Sequence, residues 1–200
     1  MKWTRAVHHL ETLAQTCGEM ATRPSSIFPL RVVQLWAHGD VLGVPRDLDT
    51  VAVALVVDLP VEEVPWLCEP QGAQHWASAT RLEKSPIERV WRSAHAPVWN
   101  HRVERPALLW DGTDGVAEPV LEALREGRGE EVRAGAPTAA ELRARVDDEY
   151  GVSLRALRDR TRTYEERRWS PGKLEPVADA LWRASGGYLD VLEARGHWGC

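Results

Sequence analysis

Gly39-Asp40-Val41-Leu42-Gly43-Val44-Pro45-Arg46-Asp47-Leu48-Asp49 joins two apolar runs, residues 30–36 and 51–57, and both runs read as strands. Val51-Ala52-Val53-Ala54-Leu55-Val56-Val57 is apolar at every position, the pattern of a central strand covered on both faces. The joining segment has the glycine, proline and aspartate of a turn. It delivers Asp47 and Asp49 to the start of the second strand. Residues two apart in an extended chain point to one side, so these carboxylates can aim at a common point. A pair so placed suits a hard divalent cation such as Mg²⁺.

Helical periodicity dominates outward from this hairpin. Trp3, Ala6, Val7, Leu10, Leu13, Ala14 and Cys17 recur at three- and four-residue spacing and predict an amphipathic helix over 1–21. Ser85-Pro86-Ile87-Glu88 combines an N-cap serine, a first-turn proline and a glutamate three residues after the cap, which predicts a helix to about His95. Residues 98–103 and 106–110 read as strands. Asp111-Gly112-Thr113-Asp114-Gly115 turns into a helix over 116–126. Thr138-Ala139-Ala140-Glu141 is a capping box that opens a long helix, with Leu142, Val146, Tyr150, Leu154, Leu157 and Tyr164 on one face. Ser170-Pro171 ends it. Leu174, Val177, Leu181, Ala184, Tyr188 and Val191 then mark a second helix, expected to pack antiparallel on the first.

The expected architecture is α+β: a small mixed β-sheet with flanking helices, followed by a helical C-terminal region. An α/β domain over 1–126 and a helical hairpin region over 137–200 are joined by a Gly/Glu/Arg-rich linker at 127–136. Net charge is −5, which argues against non-specific nucleic-acid binding. The longest apolar run is far too short to span a bilayer and no signal-peptide core is present, so a cytoplasmic address without membrane contact is expected. Cys17, Cys68 and Cys200 form neither a metal knuckle nor a disulfide framework. Ten tryptophans accompany one phenylalanine. Most are expected in the core, with Trp36 and Trp110 best placed to line a cleft, and the Trp-rich helical surfaces make a homo-oligomer plausible.

The segment from 30 to 111 resembles the active-site hairpin of the nucleotidyltransferase (polymerase β-like) superfamily. Gly39 matches the family's glycine, Asp47 and Asp49 its metal-binding Asp-x-Asp, and Asp111 its third acidic residue on a later strand. The resemblance implies Mg²⁺ held by Asp47, Asp49 and Asp111, with Asp111 also a candidate base. It also implies an NTP whose phosphates approach Gly39, and transfer of a nucleotidyl group to an acceptor. Asp40 stands where the family has serine, and only six residues separate it from Asp47. These departures imply either a metal or cation role for Asp40 at the cofactor site or a second reading, the same fold with a degenerate site serving as a binding or interaction module. A third is a small-molecule enzyme with a carboxylate-lined pocket. His38, beside the turn, is a candidate to orient phosphate or act as general base. Asn100 and Arg102 would share one face of their strand and offer donors to an anion.

Overall fold

A computed structural model describes residues 1–197, so Trp198 and Cys200 lie outside the described residues. The chain is α+β. It runs α1 (Trp3–Ala21), β1 (Val32–His38), β2 (Val51–Val57), α2 (Ala73–Ala79), β3 (Ile87–Ser93), β4 (Ala107–Asp111), β5 (Gly115–Val116), α3 (Glu118–Arg125), α4 (Ala139–Arg167) and α5 (Glu175–Gly196). The five strands form one sheet in the order β3-β2-β1-β4-β5. Only β2 and β3 are parallel, the others pairing antiparallel.

The all-apolar β2 is buried on both faces, as its sequence predicts. Val53, Leu55 and Val57 join the main core with Leu10 and Leu13 of α1, Trp76 of α2 and Leu121 of α3. Ala54 and Val56, on the other face, pack with Trp36, Val90, Trp66, Val146 of α4 and Val191 of α5. Two helical layers thus sandwich the sheet. Burial of apolar side chains, worth roughly 1.5–3 kcal/mol each, holds them there.

Two expected elements are otherwise. The segment predicted as a helix from Ser85 is strand β3, whose Ile87 and Trp91 join the main core while Val90 packs on the opposite face. Alternation in a β-branched and aromatic stretch prevails there over the Ser-Pro-x-Glu start signal. Ser85 caps nothing; its hydroxyl donates to the Leu82 carbonyl. Residues 98–103 form a loop, because Asn100 Oδ1 accepts from the backbone N–H of both Arg102 and Val103. The stretch 127–136 is packed against the turn after β1: a side chain at Gly129 would meet Leu42 backbone at 2.9 Å.

Thr138 and Glu141 form the predicted reciprocal cap of α4. Helices α4 and α5 lie antiparallel, with Tyr150 facing Tyr188 and Arg195 bonded to Asp147 at 2.7 Å. Gly187 brings α5 against the Trp66 carbonyl so closely that a Cβ there would stand 2.1 Å away.

Candidate functional site

The turn after β1 tethers itself. Gly39 adopts φ +73°, a conformation glycine takes without strain, and its carbonyl accepts from Arg133 Nη2 at 3.2 Å. Asp40 pairs with Arg46 at 2.5 Å on the exposed side of the turn. The carboxylate at the position of the family's serine therefore closes its own loop. Leu48 is buried at 5% exposure and its N–H donates to the Met1 carbonyl, while Asp47 and Asp49 on either side of it are exposed.

Asp111 is elsewhere. It lies opposite Gln34 on β1, whereas the turn begins beyond His38, which lies opposite Ala52. Four residues of strand, about 13 Å, separate Gln34 from His38. Gln34 Nε2 and the Thr113 N–H each donate to Asp111 at 2.8 Å, and these bonds hold its carboxyl below the usual range. Asp111 borders its own cleft of about 470 Å³ with Trp110 and Asp58. The three carboxylates do not meet at one point. Among the described residues no group of three or more His, Cys, Asp or Glu side chains is arranged to hold a metal ion.

His38 lines a different cleft, of about 510 Å³, between β3, the segment around Cys68 and α5. Its floor and walls are Ala52, Leu67, Ile87 and Val90; its polar groups are His38, Glu69, Glu88, Arg89 and Arg183. Glu69 bridges Arg89 at 3.3 Å and Arg183 at 3.1 Å. Glu88 accepts from the Thr50 hydroxyl. Burial pushes the His38 pKa down to about 4, its bond to the Val53 carbonyl opposing and the charge of Arg92 assisting. The imidazole is therefore neutral at pH 7. His38 Nε2 and Arg89 Nε are buried without hydrogen-bond partners, one an acceptor and the other a donor. Burial also raises the Cys68 thiol pKa, with Arg160 and Arg183 opposing.

A separate buried polar cluster anchors the helical hairpin. Glu149 of α4, 5% exposed, receives Arg92 at 2.5 Å, Arg145 at 3.1 Å and Asn100 Nδ2 at 2.9 Å. Asp190 of α5 receives Trp66 Nε1 at 2.7 Å, His101 Nε2 at 2.8 Å and Arg102 Nε at 3.0 Å. Burial alone would raise the Asp190 pKa, but donors from Arg102, His101 and Trp66 hold it below its ordinary value. Asn100 and Arg102 do offer donors to anions, and those anions are the chain's own carboxylates.

His38, expected at a site, lines a cleft together with Glu69, Arg89 and Arg183. Glu69, Arg89 and Arg183 had no signal of their own in the sequence: they converge only because β3 pairs parallel with β2 and α5 folds back over it. Comparison with curated proteins and with solved structures gave no match. The model of a family described as Domain of unknown function (DUF7711) matches residues 1–197, and the chain belongs to that family.

Proposed function

We propose that the protein is a ligand-binding module that takes a small carboxylate with an apolar body in the His38 cleft. The observation that carries this reading is the pair of guanidinium groups, Arg89 and Arg183, that share Glu69 beside an apolar floor. An ionised carboxylate only accepts hydrogen bonds, so its partners in the cleft are the guanidinium groups, while an apolar body covers Ala52, Leu67, Ile87 and Val90. A cavity of this size with an apolar lining and a few polar groups suits a small molecule. Arg89 and Arg183 share the single carboxylate of Glu69, and that excess of cationic groups favours an anion beside them. Cys17 and Cys68 are free buried thiols, consistent with work in the reducing cytoplasm.

Metal-dependent nucleotidyl transfer from an NTP is the second reading. Asp47 and Asp49, two residues apart and both exposed on the turn, favour it as a Mg²⁺-binding pair, with no part for Asp111. Calorimetric titration separates the two. Butyrate is expected to bind saturably, and Arg183→Gln to weaken it about tenfold or more, the worth of one charge-assisted bond. ATP binding that requires Mg²⁺ and vanishes in Asp47→Asn would instead favour transfer. Butyrate binding unaffected by Arg183→Gln would remove the cleft from the account.

A further inference from the structure

α5 carries two apolar stripes, and only one of them is used. Val177, Leu181, Ala184 and Val191 lie on the side that meets α4 and the body of the protein, a side fixed by Gly187 against Trp66. Ala178, Trp182, Ser185, Leu189 and Leu192 follow one another at spacings of four, three, four and three, the seven-residue repeat of a helix–helix seam. At roughly 100° per residue, each lies about 140–180° around the helix from Gly187. Trp182 is 79% exposed and Leu189 59% exposed. No charged residue interrupts this stripe.

Charge flanks it on both sides. Beyond Trp182 on α5 stand Glu175 and Asp179, both exposed. On the other flank runs α4, where the Tyr150–Tyr188 pairing brings Arg158 and Arg162 to the levels of Asp179 and Glu175. Among the described residues Arg162 pairs only with Asp159, on the surface of its own helix. Arg158, Asp179 and Glu175 make no ion pair among the described residues.

We infer that this outer face of the hairpin is a homodimer interface, occupied by the same face of a second copy. A two-fold axis parallel to α5 sets the two α5 helices side by side and parallel, Trp182 against the partner's Trp182 and Leu189 against the partner's Leu189. The same rotation lays the basic flank of each α4 across the acidic flank of the opposite α5. Arg158 then meets the partner's Asp179 and Arg162 the partner's Glu175, at matching levels. The face complements itself in charge, and this selects a second copy over an unrelated protein. It lies away from the body and leaves room for a four-helix assembly. Two helix widths of about 10 Å over about 20–30 Å give roughly 400–600 Å² per copy, the lower end for a specific interface, so association is expected in the micromolar range.

Sedimentation velocity of the full chain from 1 to about 200 µM tests this. The expected result is a shift from 22.4 kDa to twice that mass as concentration rises. Trp182→Glu is expected to remain monomeric with an unchanged far-ultraviolet dichroism spectrum, since its side chain touches solvent in the single copy. Asp179→Arg is expected to weaken association at least tenfold, and Arg158→Asp in the same chain to restore it. A mass that stays at 22.4 kDa throughout overturns the inference. So does a dimer that persists in Trp182→Glu, or a charge-swapped double variant no better than the single one.

Discussion

Glu149 and Asp47 are both carboxylates in a chain of 30 acidic residues, and their surroundings set their worth. Glu149 sits 5% exposed among Arg92, Arg145 and Asn100. Glu149→Ala leaves buried guanidinium charge uncompensated and is expected to cost about 3–5 kcal/mol in urea unfolding. Asp47→Asn and Asp49→Asn remove solvated charges and are expected to stay within about 0.5 kcal/mol by the same measurement. His38 gives a pH signature. Its pKa is pushed down to about 4 in the folded chain from 6.5 unfolded, so the unfolded state binds the extra proton between these values. Stability contributed by the neutral ring is complete above pH 6.5 and lost as pH falls toward 4. The loss amounts to roughly 3 kcal/mol. In His38→Gln this part of the pH profile is expected to flatten.

Helices with strong local signals could be read from the sequence almost to the residue. The α1 periodicity and the Thr138–Glu141 cap both formed as predicted. Strand β3 could not, since Ser85-Pro86-Ile87-Glu88 carries a genuine helix-start pattern and only the open edge of β2 makes the extended form better. Residues 73–79 make a helix of under two turns, too short for periodicity to declare, yet α2 fills the crossover that a parallel β2–β3 pair requires. One glycine sets how closely α5 docks on the Trp66 backbone. Gly187→Ala would press a methyl group into the Trp66 carbonyl and is expected to cost about 1–3 kcal/mol, seen as a lower Tm. Faster amide exchange along α5 than along α1 would accompany it.

Strand order, a property of the whole molecule, decided the candidate site. The Asp47/Asp49 pair is local, and both of its residues are exposed on the turn. Asp111 belongs to a strand whose neighbour and register no local pattern specifies, and pairing with Gln34 carries it to the far end of β1. The His38 cleft has the opposite history. One of its polar residues was singled out by adjacency to the turn, while Glu69, Arg89 and Arg183 come from three separate segments that the fold alone assembles. The most direct measurement of the account is the ring ¹⁵N spectrum of His38 during titration of the full chain with butyrate at pH 7. A saturable shift of the Nε2 resonance, abolished in the Arg89→Gln, Arg183→Gln double variant, is the expected result. A His38 ring that stays unmoved while butyrate binds, or while MgATP binds at the turn, would contradict it.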